Sequence, residues 1–449
     1  MATSVMWFRR DLRLADNPAL VEAIGAADDV VPLFVFDPRL WDPAGPPRRC
    51  YLSASLRALS DRIGGLVVRC GDPVEMVAAL AREVNAESVH VAADFGPYGG
   101  RRDAAVEAAL SEAGVPLVRT GSPYAVSPGR VRNQQGDGYQ VFTPFAKAWR
   151  EHGWRSPAAT PRAVSWDVSL RSDDWPTAQL PAGIQLPAAG EAAARRLWRA
   201  FVGDKLTDYG PSRDRPDLDT TSHMSVHLKW GEIHPRTMLA DLEEATANQR
   251  SVTTFRTELA WREFYADVLA RRPETAREYY KPEFATMTYD EPGEAFEAWR
   301  RGRTGFPIVD AGMRQLRTEG WMHNRVRMIV ASFLVKDLHI EWQHGARHFM
   351  CWLVDGDLAS NQHGWQWTAG CGTDAAPYIR IFNPTVQGKR FDPDGDYVRR
   401  HVSELRDVDA ASIHEPWTLD GGPPNGYPAP IVDHSEERTE SLRRLARLP

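Results

Sequence analysis

The sequence predicts an α/β domain, built on a doubly wound parallel sheet, followed by a second domain that is entirely α-helical. Over residues 3–120, short apolar runs alternate with longer amphipathic ones, which is typical of βαβ units. From about residue 191 onward the patterns are helical. The chain of 449 residues is also too long for one ordinary hydrophobic core. We therefore expect an α/β domain over 1–125, an interdomain linker over 126–190 and a helical domain over 191–449.

Five apolar runs are the candidate strands, at residues 4–8, 30–36, 66–69, 88–92 and 115–119. Between them, residues 73–84 and 101–113 have helical spacing. Ligands of such sheets bind beyond the carboxyl ends of the strands, where Asp37 and the loop from Asp94 to Gly99 fall. This loop has no GxGxxG or Walker pattern, so a plain turn and a weak phosphate site both remain open.

Residues 121–190 are rich in Pro, Gly and Ser, which is typical of a connector that lies on the surface. Its tryptophans, Trp149, Trp154 and Trp166, favour a connector that packs against its neighbours. Helical spacing of apolar residues then predicts helices over 192–201, 235–247, 252–270, 293–301, 308–320 and 326–338. The tail after residue 423 predicts at most a short final helix.

The composition argues against several classes of protein. A net charge of −6 disfavours a general nucleic-acid coat but leaves room for a local basic groove. Four cysteines without a CxxC pair favour reduced thiols over a zinc or iron–sulfur site. No apolar run approaches the ~20 residues that span a bilayer, and charges stand where a signal peptide needs apolar residues. We expect a cytoplasmic protein without a membrane segment.

One stretch, residues 320–367, concentrates residues suited to a binding site. It combines aromatic, cationic, carboxylate and amide side chains: Trp321, Trp342, Trp352, Trp365, Trp367, Arg325, Arg327, Asp355, Asp357 and Asn361. Buried indoles need partners for their N–H groups, and buried charges need counter-charges. This mixture is poor for a plain core and indicates a cavity for a large, flat, polar ligand.

Two further clusters leave alternatives open. Hydroxyl residues within Thr221–Ser225 precede a helical run, where they can cap the helix or hold a phosphate. On a predicted helix, one face carries Glu258, Trp261, Arg262 and Tyr265. These side chains can form an ion pair covered by the indole. They can equally supply a hydrogen-bond acceptor, a stacking platform and a phosphate clamp.

Two histidine pairs have the i,i+4 spacing of metal ligands: His344 with His348, and His223 with His227. Neither has the glutamate of an HExxH motif or a cysteine partner, so we expect no metal site. Basic residues at 300–303, 325, 389–390 and 399–400 are typical of solvated surface, but also of a groove that follows phosphates.

Longer motifs occur in order along nearly the whole chain: WFRRDLRLADNPAL, TELAWREFY, GFPIVDAGMRQL, GWMHNRVRM, SFLVKDL, DGDLASNQHGWQW, GTDAAPYIRIFNP and TVQGKRFDPDG. Together they resemble the photolyase/cryptochrome family, and within it the bacterial class I photolyases that repair cyclobutane pyrimidine dimers (CPDs). The resemblance implies a Rossmann-like antenna domain, a linker and a helical domain that binds FAD in a U shape. The implied activity is light-dependent DNA repair, in which an electron from photoexcited FADH⁻ splits a flipped-out dimer.

The resemblance implies a set of FAD-binding residues: Tyr209, Thr221, Ser222, His223, Met224, Ser225, Phe255, Arg262, Trp321, Asn324, Arg327, Asp355, Asp357 and Asn361. Tyr209 and residues 221–225 match the phosphate side. The pairing of Arg327 with Asp355 fits the rule that a buried guanidinium needs a carboxylate. Asn361 matches the residue that faces flavin N5, where an amide can accept a hydrogen bond without adding charge.

The resemblance also implies lesion and DNA contacts: Glu258, Trp261, Arg262, Asn324, Arg325, Met328, Trp367, Gln387 and Lys389. Glu258 would hydrogen-bond the thymine edges, while Trp261 and Trp367 would pack against the apolar side of the dimer. A distorted, weakly paired dimer costs less to extrude than a normal base pair. A basic groove for backbone phosphates would explain a cationic patch on an acidic protein.

Photoreduction of the resting flavin would run through Trp365 and Trp342, as the resemblance implies. Where the family commonly has a third, surface tryptophan, this sequence has Tyr289. Trp299 is near it in sequence and offers another exit. The last step of photoreduction therefore departs from the family pattern.

Two more departures, Phe255 for a usual tryptophan and His223 for a usual arginine, fall at FAD positions. For the antenna, residues 94–99 look like those of deazaflavin-binding photolyases. Arg48, Asp94 and Lys229 match contact positions of that type. We expect 8-hydroxy-deazaflavin, with methenyltetrahydrofolate, FMN or no chromophore as the alternatives.

Two other functions fit the same family: a cryptochrome-type blue-light sensor without repair activity, and a (6-4) photolyase. Asn361, Met328 and the short tail favour the dimer-repair enzyme. Repair of (6-4) lesions relies on a histidine pair, whereas residues 321–324 supply only His323. We expect a monomer whose partner is UV-damaged DNA that contains pyrimidine dimers.

Overall fold

The computed structural model describes residues 2–373 and 380–449, so part of the motif GTDAAPYIRIFNP lies outside the described residues. The chain divides into two compact units. The first unit comprises Met1–Pro181, Pro187–Thr207 and Ser222–Pro273. The second unit comprises Ala182–Leu186, Asp208–Thr221 and Glu274–Pro449.

A parallel sheet lies in the first unit. Its strands are β1 (Thr3–Phe8), β2 (Asp29–Phe36), β3 (Val67–Cys70), β4 (Ser88–Val91) and β5 (Leu117–Arg119). Their order is β3-β2-β1-β4-β5, and each neighbouring pair is parallel. The chain thus starts in the middle of the sheet and winds first to one edge and then to the other. This order confirms the predicted doubly wound fold.

The helices that connect these strands are α1 (Pro18–Ala26), α2 (Pro38–Trp41), α3 (Pro46–Ile63), α4 (Pro73–Glu83) and α5 (Pro97–Ser111). Asn17, Asp37 and Asp72 each accept a hydrogen bond from a backbone N–H in the first turn of the helix that follows. A proline follows each of them, where its missing N–H costs nothing. These starts are therefore fixed by adjacent residues.

The segment between the sheet and the later helices contains α6 (Phe142–His152), which the sequence analysis did not predict. Trp149 on α6 is fully buried, and its Nε1–H donates to Glu263 Oε2 at 2.6 Å. Glu263 also accepts hydrogen bonds from the backbone N–H groups of Ala125 and Val126. Burial raises the pKa of this carboxyl. One buried glutamate thus holds the start of the segment and α6.

The remaining helices are α7 (Glu191–Ala200), α8 (Leu206–Ser212), α9 (Ser225–Trp230), α10 (Pro235–Glu244), α11 (Gln249–Arg271), α12 (Glu294–Arg301), α13 (Pro307–Glu319), α14 (Asn324–Ser332), α15 (Trp342–Trp352), α16 (Leu358–Ala369), α17 (Pro384–Phe391), α18 (Asp396–His401) and α19 (His434–Leu445). Two π-helical turns, Phe201–Lys205 and Phe333–Asp337, extend α7 and α14. The final helix, α19, has 12 residues and is longer than expected.

The core of the second unit is aromatic and aliphatic, and Trp299, Trp342, Leu316 and Val330 are fully buried in it. Gly320 has a φ of +63° and ends α13 in the left-handed conformation that glycine adopts without strain. Among the described residues, we find no helix with the length and apolarity needed to cross a bilayer.

Candidate active site

Three predicted ligand-binding residues form one connected group in the second unit. Arg327 on α14 donates from Nη2 to Asp355 Oδ2 at 2.8 Å and from Nε to the Met322 carbonyl at 2.7 Å. Its guanidinium lies 5.9 Å from the ring centroid of Trp321. Because the Asp355 side chain is only 2% exposed, the guanidinium supplies the counter-charge that a buried carboxylate requires.

The buried carboxylate has unused hydrogen-bonding capacity. Oδ1 of Asp355 is buried and has no hydrogen-bond partner within the described residues. Buried carboxylate oxygens normally have a partner. Arg327 is bonded to the other oxygen, so the group that Oδ1 lacks is an N–H or O–H donor, such as a polar ligand would bring.

Asp357 and Asn361 lie at the start of α16. The Asp357 carboxylate caps this helix by accepting a hydrogen bond from the backbone N–H of Ser360 at 3.1 Å. Nδ2 of Asn361 donates to the Ala346 carbonyl at 3.2 Å and to Gln362 Oε1 at 2.7 Å. Both bonds use the amide nitrogen, which fixes the side chain and leaves its oxygen as an acceptor.

The predicted electron-transfer tryptophans, Trp365 and Trp342, are 2% and 0% exposed. Both Nε1 atoms are buried without a hydrogen-bond partner in the part of the chain that the structure describes. Trp365 packs against α15 at Gly345, where a Cβ would lie 2.1 Å from its Cη2 atom. Gly345 is one helical turn after Trp342, so both indoles lie along α15.

Tyr279 lies between Trp342 and Tyr289 and was missed in the sequence analysis. Its ring centroid is 6.1 Å from that of Trp342 and 6.3 Å from that of Tyr289. Its hydroxyl donates to Glu341 Oε1 at 2.6 Å. Burial, above all, raises the pKa of both tyrosines. Tyr279 and Glu341 are 62 positions apart, and no local pattern marks the pair.

Trp299 is fully buried, and its Nε1–H donates to the Val330 carbonyl at 3.0 Å. Its ring centroid lies 6.2 Å from that of Trp365. It therefore contacts the predicted path, but its own side chain does not reach the surface.

Three predicted DNA-side residues lie on α14. Asn324 is exposed, whereas Arg325 and Met328 are half-buried. Arg325 forms an ion pair with Asp214 at 2.9 Å, and its guanidinium lies 4.5 Å from the ring centroid of Phe391. Stacking on the ring orients the guanidinium, and a phosphate would compete with the carboxylate for it.

The other DNA-side residues of the second unit lie on α16 and α17. Trp367 is half-buried, and the Arg380 guanidinium lies 5.0 Å from the centroid of its ring. Gln387 is half-buried on α17. Lys389 is half-exposed and pairs with Glu415. These residues offer an aromatic surface and cations, which are the groups that bind bases and phosphates.

Tyr209 is buried on α8 in the second unit, with the Arg213 guanidinium 5.9 Å from its ring centroid. Thr221 is half-buried in the same unit.

In the first unit, Ser222 Oγ accepts a hydrogen bond from the backbone N–H of Met224 at 3.3 Å. His223 has a φ of +53°, a conformation that non-glycine residues rarely adopt, while Ser225 is exposed at the start of α9. The local bond of Ser222 is the kind that a turn or cap forms.

The predicted residues on α11 belong to the first unit. Phe255 is 4% exposed and packs between Trp198 and Phe201, with centroid distances of 5.3 and 5.0 Å. Glu258 is half-buried. Trp261 stacks on Phe142 with centroids 3.6 Å apart and planes at 6°. The indole of Trp261 is thus held in one orientation by α6.

Arg262 donates to the carbonyls of Pro123 at 2.9 Å and Leu228 at 3.3 Å. Its guanidinium also lies 4.7 Å from the ring centroid of Tyr124. Backbone carbonyls of a loop residue, Pro123, and of a residue on α9, Leu228, therefore position this cation. Neither the ion pair nor the phosphate clamp predicted for this helix face included these carbonyls.

The predicted antenna residues lie in the first unit on different elements. Arg48 is on α3, and Lys229 on α9 has its Nζ 5.4 Å from the ring centroid of Trp230. Asp94 follows β4 and accepts hydrogen bonds from the Gly96 N–H at 2.9 Å and Arg102 Nη2 at 3.3 Å. The carboxylate thus orders the loop at the carboxyl end of the sheet.

Within residues 2–373 and 380–449, no group of three or more His, Cys, Asp or Glu side chains has the arrangement of a metal site.

Comparison with known proteins assigns the family. The family model described as DNA photolyase matches residues 4–163, and the model described as the FAD binding domain of DNA photolyase matches residues 255–447. The deoxyribodipyrimidine photo-lyase of Streptomyces griseus is 41% identical over 455 residues, covering 99% of each chain. The chain belongs to the DNA photolyase family. It is an enzyme of the photo-lyase type, it binds FAD, and its family acts in DNA repair.

Two solved structures are similar over nearly the full length. A bacterial class III photolyase from Agrobacterium tumefaciens has a TM-score of 0.92 and 35% identity, covering 100% of this chain and 98% of that one. The cryptochrome of Synechocystis sp. PCC6803 has a TM-score of 0.91 and 27% identity, covering 99% of each chain.

The side chains of the second unit fit FAD. Oδ1 of Asp355 lacks a donor, and FAD carries hydroxyl and ring N–H donors. The indole of Trp321 and the amide oxygen of Asn361 offer a flat surface and an acceptor, which suit a conjugated ring with polar edges.

Proposed function

We propose that this enzyme repairs UV-damaged DNA by splitting cyclobutane pyrimidine dimers with light. The observation that carries the proposal is the ion pair of Arg327 with the buried Asp355, whose Oδ1 has no partner among the described residues. The pair lies within the region matched by the FAD-binding family model. Similarity to the Streptomyces griseus photo-lyase over the whole chain supports it.

The residues of the second unit bind and orient the cofactor. FAD, when bound in its reduced form, supplies the photoexcited electron that opens the two bonds between the linked bases. Asp355 accepts a hydrogen bond from FAD, and Arg327 supplies the counter-charge of that carboxylate. The Asn361 oxygen accepts the N5 hydrogen of the reduced ring, and Ala346 holds the amide in place. The remaining predicted contacts are Tyr209, Thr221, Ser222, His223, Met224, Ser225, Phe255, Arg262, Trp321, Asn324 and Asp357.

The dimer and the DNA strand are bound by two kinds of side chain. Glu258 accepts hydrogen bonds from the thymine edges, and Trp261, Trp367 and Met328 exclude water from the apolar side of the dimer. Cations and amides bind the phosphates and polar edges: Arg262, Asn324, Arg325, Gln387 and Lys389. The stacking of Trp261 on Phe142 supports this role, because a fixed indole loses little entropy on binding.

Further proposals concern the antenna and the organisation of the chain. Arg48, Asp94 and Lys229 bind 8-hydroxy-deazaflavin, with methenyltetrahydrofolate, FMN or an empty site as alternatives. The protein is a cytoplasmic monomer with an antenna domain over 1–125, a linker over 126–190 and a catalytic domain over 191–449. Because one solved relative is a class III enzyme, the class I assignment stays a prediction.

A light sensor without repair activity is the second candidate, because a cryptochrome has nearly the same fold as this chain. Repair of (6-4) lesions is the third. The substrate separates the three functions, since only the first predicts light-dependent loss of a CPD.

The test uses purified protein with FAD, chemically reduced and illuminated with an oligonucleotide that contains one thymine dimer. We expect light-dependent recovery of thymine absorbance, and none with a (6-4) lesion. Glu258→Gln should retain FAD and slow repair about tenfold or more, because a hydrogen bond to a charged acceptor is lost. Glu297→Gln, on α12, is the matched control and should repair normally. Bound FAD without any dimer loss would favour the sensor.

A further inference from the structure

We propose that Tyr279 carries the oxidising equivalent out of the tryptophan path during photoreduction, and that Glu341 accepts its proton. The inference rests on the proposed function, because a photoexcited oxidised flavin is the one-electron oxidant that starts the process. Tyr279, Glu341, Trp342 and Trp365 all belong to the second unit and to its described residues.

The surroundings of Trp342 disfavour the positive charge that its indole carries when it is oxidised. Its side chain is 0% exposed, and Nε1 has no hydrogen-bond partner among the residues that the structure describes. An oxidised indole there has no base to take its N–H proton, so it stays a buried cation. A buried charge without a counter-charge is costly, which makes oxidised Trp342 a strong oxidant towards its neighbours.

Tyr279 is an aromatic neighbour that can donate an electron to oxidised Trp342. Its ring meets that of Trp342 edge to face, at an interplanar angle of 83° and a centroid distance of 6.1 Å. Its O–H points at Glu341 Oε1 at 2.6 Å, the length of a strong bond to a carboxylate. Glu341 immediately precedes the first residue of α15, so its side chain lies near the positive end of the helix dipole.

The step balances as a proton-coupled electron transfer. One electron leaves the Tyr279 ring and restores neutral Trp342, while the Tyr279 O–H bond breaks and its proton passes to Glu341 Oε1. The products are a neutral phenoxyl radical and a neutral carboxylic acid. The burial that raises the pKa of Tyr279 keeps it a protonated donor before the step.

Tyr289, which stands where the family commonly has a third tryptophan, is less suited to this first step. Its hydroxyl donates to the Phe284 carbonyl at 3.4 Å, and an amide oxygen does not take up a full proton. Tyr289 also stacks on Tyr279, with ring centroids 6.3 Å apart and planes at 18°. It is therefore placed to follow Tyr279 and not to replace it.

The test illuminates FAD-loaded, oxidised protein and identifies the radical by electron paramagnetic resonance and transient absorption. Wild-type protein should form a phenoxyl radical, whose spectrum narrows with ring-deuterated tyrosine. Tyr279→Phe should abolish this signal and leave an indole radical that recombines at least about tenfold faster. Tyr289→Phe, the matched control, should retain the phenoxyl signal.

The variant Glu341→Gln distinguishes proton uptake by Glu341 from a role in packing alone. The amide oxygen still accepts the hydrogen bond but takes up no proton, so phenoxyl yield should fall about tenfold or more and formation should lose its deuterium-solvent effect. An unchanged yield in this variant, or loss of phenoxyl in Tyr289→Phe but not in Tyr279→Phe, would overturn the inference. If wild-type protein with chemically reduced flavin repairs dimers yet never forms a phenoxyl radical, the proposed function stands and this inference fails.

Discussion

The indole of Trp365 occupies the space that Gly345 leaves open on α15. A Cβ at Gly345 would lie 2.1 Å from Cη2 and 2.5 Å from Cζ3 of Trp365, and 2.6 Å from Cδ2 of Leu334. These distances are far below van der Waals contact, so any side chain would force the rings apart. The glycine is thus needed for close packing, and it sets how near Trp365 comes to the helix that carries Trp342.

Gly345→Ala should therefore destabilise the protein by about 1–3 kcal/mol through overpacking, despite the better helix propensity of alanine. It should also slow electron transfer from Trp342, because Trp365 is displaced. The measurements are chemical denaturation and transient absorption of the FAD-loaded protein.

Gly364→Ala, on α16, is the matched control. Apart from its chain neighbours and the backbone of its own helix, no atom of the described residues lies within 4 Å of the Cβ that it would add. The substitution should leave electron transfer unchanged and raise stability by about 0.5–1 kcal/mol. A Gly345→Ala protein as stable as this control would show that the Trp365 contact is not tight.

The contact between Arg327 and Asp355 predicts that substitutions of these two residues change the free energy of unfolding in a strongly non-additive way. Arg327→Met leaves a carboxylate that is 2% exposed without its counter-charge, so the free energy of unfolding should drop by about 3–5 kcal/mol. Adding Asp355→Leu should restore part of that loss, because the uncompensated charge is gone. Denaturant titration of both single variants and the double variant gives the coupling.

Measuring FAD affinity in the same variants distinguishes a role in FAD binding from a role in stability. The double variant should still bind FAD at least about tenfold more weakly than wild type, because the acceptor Asp355 is lost. Normal affinity in the double variant would contradict the role proposed for Asp355.

The features that the sequence predicted well have local causes. Strand positions follow from apolar runs, and the start of α4 follows from Asp72, which lies beside a proline. The candidate ligand group was predicted by resemblance, and the Arg327–Asp355 contact fits the need of a buried charge for a partner.

The features that the sequence did not predict depend on distant contacts. Helix α6 has no side-chain cap at Val141, so its start carries no local signal. The burial of Trp299 and the contact of Tyr279 with Glu341 arise only when separate helices pack. The same holds for the carbonyls that bind Arg262, which belong to residues 139 and 34 positions away in the sequence.

Glu263 provides a test of how the segment around α6 is held. Glu263→Gln places an N–H₂ group against donors from Ala125, Val126 and the Trp149 indole. At least one donor then loses its acceptor, so stability should fall by about 1–3 kcal/mol. Increased cleavage of residues 126–141 in limited proteolysis should accompany the loss.

The exposed Glu151→Gln on α6 is the control and should change stability by less than about 0.5 kcal/mol. A Glu263→Gln protein as stable and protease-resistant as this control would mean that the buried hydrogen bonds do not hold the segment.

His348 predicts a specific loss of stability in acid. Burial, together with Arg300 and Arg317, lowers its pKa from 6.5 to about 3. The unfolded chain therefore binds a proton below pH 6.5 that the folded protein does not bind until about pH 3. The free energy of unfolding therefore has its full value above the pKa of the unfolded chain, 6.5. It decreases as the pH falls towards the pKa of the folded protein, about 3. Between about pH 6 and pH 4 this histidine should remove about 2 kcal/mol of stability.

His348→Phe should remove that pH dependence. Nε2 has no hydrogen-bond partner among the described residues, and Nδ1 makes only a 3.4 Å contact with Arg300, so a phenyl ring sacrifices little polar bonding. It should also keep the contact with Trp299, whose ring centroid is 5.5 Å away. The measurement is the denaturant midpoint at pH 6 and pH 4. Phe349→Leu changes neighbouring packing without removing a titrating group, so its pH slope should match wild type. Equal slopes in all three proteins would show that His348 is protonated in the folded state.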